Sequence, residues 1–386
     1  MEDQDLLSRA AAHAGGMVSE VGDRRRRVVV AGTAFGRIYI QAVLSHPDRF
    51  ALAGILAKGG DYSRGCAERY GVPLFTDPER IPDDVDIVCV VIRSGAIGGA
   101  GAELAKALLE RGYHVLQEHP VHSSEIVECL RAARAGNAAY AVNTLYPDIK
   151  PVRQLLAAAA YLRQQQPLAF IDAACNSQVA YPLIDILGRA AGSLRPWSFQ
   201  APPLGSDSEA TPFRSLTATI GGVPVTLRIQ NQVHPDDPDN YSYLMHRITL
   251  GWEAGILSLA DTHGPVFWNP RLHAPRDDTG RLLMEGPGTE RLAVPSTVIL
   301  GDEEPRDYHR VFAETWPDAV AVALARLCRD IDAPAGRARS GQWALGVSQA
   351  WRDMTAAVGM PELIRPAEPR AVCLDALRAA AAAGEW

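Results

Sequence analysis

Through residue 145, short β-branched apolar runs alternate with segments whose apolar positions recur at helical spacing. Residues 27–32 form a strand-like run ending in glycine, and 35–44 carry helical periodicity that stops before Pro47. Residues 50–56 are a second apolar strand, and 62–70 a helix closed by Gly71. Residues 85–92 are continuously apolar, the signature of a strand covered on both faces. A helix over 102–111, a strand over 114–117, a helix over 123–135 with Ser124 as N-cap, and a strand over 139–143 complete the series. This alternation predicts an α/β domain with a doubly wound parallel sheet.

After Pro147 the pattern changes. A helix over 152–163 and a strand over 168–175 precede two strands, 213–220 and 223–233, which flank the turn pair Gly221-Gly222. Strands over 243–251 and 255–261, a Pro- and Gly-rich excursion over 271–306, and helices over 311–328, 342–358 and 371–383 follow. The expected organisation is a loose tail (1–23), a dinucleotide-binding Rossmann domain (24–146), and an α+β domain (147–386) on a mostly antiparallel sheet, serving substrate binding and oligomerisation. The basic run at residues 24–27 reads as a solvated face.

Composition narrows the function classes. The net charge of −7 argues against a general nucleic-acid or membrane-surface role. No apolar run is long enough to span a bilayer, and the first residues lack a signal-peptide core. The six cysteines are scattered without a Cys-x-x-Cys pair, as in a reducing cytoplasm. His114, His119 and His122 lack a matching carboxylate or thiol set, so no metal is expected.

Gly32-Thr33-Ala34-Phe35-Gly36 follows the first strand and opens the first helix. Gly32 permits the tight turn, Gly36 permits close packing of helix on strand, and the helix N-terminus faces a pyrophosphate with free N–H groups. Ala34 replaces the middle glycine of the usual fingerprint. The second strand ends at Ala57-Lys58-Gly59-Gly60, with no acidic residue before Asp61 to accept from ribose hydroxyls. Lys58, Ser63 and Arg64 suit a 2′-phosphate instead, which favours NADPH over NADH. Lys58 and Arg64 also read as ordinary solvated residues.

Reacting groups belong beyond the carboxyl ends of the parallel strands. Three strands end there in Arg93-Ser94, Glu118-His119-Pro120 and Asn143-Thr144-Leu145-Tyr146-Pro147. His119 donates or accepts near neutral pH, and Tyr146 offers a phenolic proton. Glu118 reads as orienting the loop and the cofactor. His119 also reads as a backbone-bonded ring, and Tyr146 as a packing aromatic. Residues 233–240, rich in Pro and Asp, suit an exposed cleft rim.

This arrangement resembles nicotinamide oxidoreductases of the glucose–fructose oxidoreductase and inositol dehydrogenase type, in which the Glu-His-Pro site reads Glu-Lys-Pro. Those enzymes also carry an Asp and a His on the first helix of the second domain. Here residues 176–185 read Asn-Ser-Gln-Val-Ala-Tyr-Pro-Leu-Ile-Asp, with no histidine. Alcohol oxidation needs a base, so both departures count against it.

Within that group the chain resembles the NADPH-dependent thiazolinyl imine reductases of yersiniabactin- and pyochelin-type siderophore assembly. The likeness rests on residues 32–36, 90–94, 98–101, 117–120 and 143–147, and on Ala-Asp-Thr-His-Gly-Pro-Val-Phe-Trp-Asn-Pro over 260–270. It implies reduction of a thiazoline C=N to a thiazolidine on a substrate tethered by a thioester to a nonribosomal peptide synthetase carrier. It also implies NADPH as cofactor, and His119 and Tyr146 as proton-donor candidates. A homodimer is expected. Two other readings stand beside this one: an NADP-dependent dehydrogenase of a free sugar or cyclitol, and a non-catalytic NADP-binding regulator.

Overall fold

The computed structural model describes residues 25–92, 98–201, 211–301 and 307–384. The N-terminal tail, Arg93 and Ser94 lie outside the described residues.

The first half runs β1 (Arg26–Ala31), α1 (Gly36–Leu44), β2 (Phe50–Leu56), α2 (Asp61–Tyr70), β3 (Leu74–Phe75), β4 (Ile87–Val90), α3 (Ala100–Glu110), β5 (His114–Glu118), α4 (Ser123–Ala135) and β6 (Tyr140–Asn143). Its six strands are parallel, in the order β3-β2-β1-β4-β5-β6. This is the doubly wound order, with its switch point between β1 and β4. Val28, Val29, Val30 and Ala31 in β1, and Ile87, Val88, Cys89 and Val90 in β4, are fully buried. Helices cover both faces, which is why these strands carry no polar alternation. The apolar run at 85–92 is longer than its strand because Val85 and Val91 are buried in the flanking turns. The N-cap of α4 is His122, not Ser124. The His122 ring accepts from the Ser124 N–H while Glu125 reaches back to the His122 N–H. That capping box starts the helix two residues earlier than a Ser124 cap would.

The second half runs α5 (Lys150–Gln165), β7 (Phe170–Asn176), α6 (Ala180–Ala191), β8 (Trp197–Gln200), β9 (Phe213–Ile220), β10 (Val223–Gln230), β11 (Gln232–Val233), β12 (His246–Trp252), β13 (Gly255–Leu259), β14 (Val266–Pro270) and β15 (Val298–Leu300). A π-helical turn (Val311–Thr315) then leads into α7 (Trp316–Asp332), followed by α8 (Arg337–Val358), β16 (Glu362–Leu363) and α9 (Leu374–Ala382). Eight strands form a sheet in the order β15-β14-β13-β12-β7-β10-β9-β8, antiparallel except where β7 meets β10. Gly221 and Gly222 turn β9 into β10 with φ of 61° and 82°, which glycine adopts without a Cβ clash. β10 alternates buried and exposed positions, so one sheet face packs inward. Helices α5 and α6 lie against this sheet.

The two halves are joined by more than the chain crossing at residue 147. Helix α7 packs on α1, and α8 packs on α4 and β6. One apolar core runs from Val28 and Ile40 through Leu155 and Ile184 to Leu324 and Val347. Arg26, from the basic run, is not simply solvated. It pairs with Asp86 at 3.4 Å and with Asp332 at the end of α7 at 2.6 Å. No helix among the described residues is long and apolar enough to cross a membrane.

The β1–α1 turn depends on Gly32, whose φ is +105° and whose missing Cβ would collide with the Val91 carbonyl oxygen. Gly32→Ala is therefore expected to cost about 1–3 kcal/mol through backbone strain. Urea unfolding, compared with Gly60→Ala, where a Cβ would meet nothing within 4 Å, checks this.

Candidate active site at the mouth of the parallel sheet

The turn after β1 delivers Thr33, Ala34 and Phe35 to the carboxyl edge of the sheet. The N-cap of α1 is Phe35, with no side-chain cap and no acidic residue in the first turn. The first N–H groups of the helix thus have no side chain competing for them, and the site fits a bound phosphate. Gly36 is buried, with the place of a Cβ 3.2 Å from Val30 Cγ1. At the end of β2, Lys58 is exposed and Gly59 has φ of +77°. Ser63 is buried, and its hydroxyl donates to the Gly60 carbonyl at 2.8 Å. Arg64 is exposed, bonding the Gly59 carbonyl and pairing with Asp61 at 2.8 Å. Lys58 and Arg64 therefore stay accessible to an added anion, whereas Ser63 serves the loop.

At the end of β5, the Glu118 carboxylate gathers three donors. Tyr39 of α1 donates its hydroxyl to Oε2, and Asn143 Nδ2 lies 3.5 Å from the same oxygen. Asn143 Nδ2 also donates to the Tyr39 oxygen at 2.6 Å. His119 Nδ1 lies 2.9 Å from Glu118 Oε1 and 3.1 Å from the Asn143 carbonyl. Both neighbours of Nδ1 accept, so Nδ1 carries a hydrogen, and Nε2 is the nitrogen left to exchange a proton. Burial, and then the Glu118 charge, push the Tyr39 phenol well above its ordinary range, so it remains a donor.

Past β6 the chain turns sharply. Leu145 has φ of 57°, and its N–H is held by Asn143 Oδ1 at 2.9 Å. Two buried carboxylates pin the turn from either side. Thr144 donates to Asp185 of α6 at 2.6 Å, and Asp148 pairs with Arg326 of α7. Asp185 also receives Arg189 Nε at 2.7 Å and Trp343 Nε1 at 2.7 Å. Burial alone would raise the Asp185 carboxyl, but Arg189, with Thr144 and Trp343, holds it below the usual carboxylate range. At Asp148 burial prevails over Arg326, and the carboxyl is raised.

Between these anchors Tyr146 is buried and its ring is enclosed by three others. His119 lies 6.2 Å away, His246 of β12 5.0 Å, and Trp316 of α7 6.1 Å, each edge-on. Phe35 meets Trp316 at 5.7 Å, and Tyr181 stacks on His119 at 5.7 Å. Burial, then the Glu118 charge, raise the Tyr146 phenol far above its ordinary value. It is thus a neutral donor across the physiological range.

The structure brings together Phe35, Glu118, His119 and Tyr146, and sets Lys58, Ser63 and Arg64 apart at the end of β2. Sequence reading missed Tyr39, Asp185, His246 and Trp316. His246 is a histidine among the apolar positions of a strand, and such a residue reads equally as a satisfied core group. Here it is both. Its Nε2 bonds the Val179 carbonyl at 2.9 Å, its Nδ1 meets Thr262 Oγ1 at 3.0 Å, and burial lowers it to about 4.

Comparison with known proteins bears on both halves. Residues 26–144 match the family described as "Oxidoreductase family, NAD-binding Rossmann fold". Residues 165–269 match "Thiazolinyl imine reductase Irp3-like, C-terminal". No curated protein matches the sequence. Among solved structures, the UDP-N-acetylglucosamine 3-dehydrogenase of Acidithiobacillus ferrooxidans superposes with a TM-score of 0.59 at 15% identity, covering 87% of this chain and 98% of its own. A 3-ketoreductase from Actinomadura kijaniata, solved with NADP, gives 0.60 at 15% identity over 89% and 100%. An oxidoreductase from Agrobacterium radiobacter, solved with NAD+, gives 0.59 at 10% identity over 87% and 96%. At such identities these structures share the fold.

The low proton affinity of His246 has a consequence for stability. Its folded value, about 4, lies below the ordinary 6.5, so between them the unfolded chain binds the extra proton. The stability it contributes is complete above pH 6.5 and is lost as the pH falls towards 4. His114, also lowered to about 4, acts in the same direction. Thermal unfolding from pH 7 to 4 should show a steep fall in Tm, and His246→Gln should be less steep over that window. Parallel profiles for the two proteins would contradict the assignment.

Proposed function

We propose that this chain, an oxidoreductase with an NAD-binding Rossmann domain, uses NADPH to reduce a thiazoline C=N to a thiazolidine while the substrate is held as a thioester on a nonribosomal peptide synthetase carrier. The observation that carries this reading is the match of residues 165–269 to the thiazolinyl imine reductase C-terminal family. The histidine in place of the lysine at position 119 supports it. The pathway, on this reading, is siderophore assembly.

Bound NADPH would supply hydride to the imine carbon. Gly32, Thr33, Ala34, Phe35 and Gly36 would hold its pyrophosphate at the α1 N-terminus, and Lys58, Gly59 and Arg64 would hold its adenosine end. Arg64 would turn from Asp61 to a 2′-phosphate, a stronger bidentate partner. The residues of this chain then manage the proton. As hydride reaches carbon, the ring nitrogen becomes strongly basic, and even a phenol of raised pKa yields its proton to it. Tyr146 donates this proton. His119, held through Nδ1 by Glu118 and the Asn143 carbonyl, keeps Nε2 free of both contacts as partner or alternate donor. The aromatic wall of Phe35, Trp316 and Tyr181 excludes water from the transfer. The carrier would approach over the rim at residues 233–240, which is half-buried to exposed. That rim carries Asp236, Asp237 and Asp239, so an acidic carrier needs a basic contact elsewhere, and its binding is transient.

Two experiments test this reading. Steady-state kinetics on a thiazolinyl thioester should show a preference for NADPH. Arg64→Ala should raise KM for NADPH about ten- to a hundred-fold, the equivalent of a charge-assisted hydrogen bond of about 1.5–3 kcal/mol, with little change for NADH. A wild-type preference for NADH would overturn the cofactor assignment. Separately, Tyr146→Phe should lower kcat by about 10²–10⁴, as loss of a general acid does, and His119→Ala should lower it less. Near-normal turnover in both variants would leave water as the proton source. NADP-dependent oxidation of free sugars or cyclitols, with no turnover of the thiazoline, would replace the reaction itself.

A further inference from the structure

Tyr146 is held by rings that are themselves held from one place. Between β13 and β14 the chain makes a tight turn through residues 261–264, closed by the Gly264 N–H on the Asp261 carbonyl at 2.9 Å. Two successive side chains of this turn reach two different rings beside Tyr146.

Thr262 is fully buried, and its Oγ1 accepts the His246 N–H at 3.0 Å. The same oxygen lies 3.0 Å from His246 Nδ1. His246 Nε2 faces the Val179 carbonyl, which only accepts, so the ring hydrogen is on Nε2 and Nδ1 is the acceptor. The Thr262 hydroxyl therefore donates to Nδ1 and fixes the plane of the ring that meets Tyr146 edge-on at 5.0 Å.

His263 works in the opposite sense. Its Nε2 accepts the Trp316 indole N–H at 3.2 Å, so Nδ1 carries its hydrogen and faces Asp261 Oδ1 at 3.3 Å. The two rings lie nearly parallel, 6.4 Å apart at 26°. This fixes the indole that meets Tyr146 at 6.1 Å and Phe35, beside the cofactor turn, at 5.7 Å.

We propose that Thr262 and His263 are positioning residues for Tyr146: one short turn orients, through His246 and Trp316, two of the rings that hold the phenol in its donating geometry. This role rests on the proton donation assigned to Tyr146. It places the control of that residue in the second domain, far in sequence from the strand that carries it. A proton donor misplaced by a fraction of an ångström loses rate without losing substrate.

Thr262→Val keeps the shape and removes the hydroxyl, whereas Thr262→Ser restores it. Thr262→Val should lower kcat for the thiazolinyl thioester about 3- to 10-fold, the equivalent of one hydrogen bond, and leave KM and the Kd for NADPH unchanged. Thr262→Ser should recover turnover. In a Tyr146→Phe background Thr262→Val should cause no further loss, because both changes act through one group. His263→Phe, which keeps a ring against Trp316 but no acceptor, should behave in the same way and serves if Thr262→Val does not fold. A fluorine NMR spectrum of protein labelled with 3-fluorotyrosine, with the Tyr146 signal identified by its absence in Tyr146→Phe, reads position without turnover. That signal should move in Thr262→Val and return in Thr262→Ser. An unmoved signal with wild-type kcat in both Thr262→Val and His263→Phe overturns the positioning role. So does an equal loss in the presence and absence of Tyr146. A moved signal beside full activity of Tyr146→Phe would retain the positioning and refute the donor assignment.

Discussion

The Glu118 carboxylate is the point on which the cleft is built. It sits where β5 ends, takes the Tyr39 hydroxyl from α1, lies beside Asn143 from β6, and faces His119 from its own loop. A carboxylate largely withdrawn from solvent must be compensated by donors, and here each donor comes from a different element. The same contacts that make the charge tolerable therefore set α1, β5 and β6 in register at their carboxyl ends. They also determine which nitrogen of His119 carries the hydrogen. Loss of Glu118 would leave Tyr39 and Asn143 facing each other and His119 with only the Asn143 carbonyl.

The turn that carries Tyr146 follows the same logic with two further carboxylates. Asp185 and Asp148 lie on either side of it in contact, and each is matched by an arginine from a helix of the second half. Neither pair is a gain in stability to be counted, since desolvating both charges offsets much of their attraction. Their effect is on geometry. A turn with a positive φ at Leu145 is held because its neighbours on both sides are bonded to α6 and α7. The cofactor domain thus shapes its own last turn with groups that belong to the other domain.

The aromatic wall extends this dependence to the space where a substrate would lie. Phe35 follows the glycine turn of the first strand, and Trp316 begins a helix nearly three hundred residues later, yet their rings touch. Through Trp316 that contact continues to His263 and Tyr146. The aromatic cluster is a joint product of the two halves, and α7 and α8 of the second half pack against α1, α4 and β6 of the first.

The sequence by itself determined the parallel sheet, its glycine turn, the hairpin at Gly221-Gly222 and the loop ends at which Glu118, His119 and Tyr146 stand. These are legible because strand and helix periodicity, and the conformational demands of glycine, are local. The absence of an acidic residue at the end of β2 is equally local, although only the structure shows Arg64 paired with Asp61 and the Ser63 hydroxyl spent on Gly60. Tertiary structure alone decided which buried polar residues belong to the site. Tyr39, Asp185, His246 and Trp316 sit in patterns that a core residue would also fill, and nothing in their neighbours along the chain distinguishes them. Their roles arise from hydrogen bonds and ring contacts between elements far apart in sequence. A buried polar group must find its partner in space, and the identity of that partner is not written in the residues beside it.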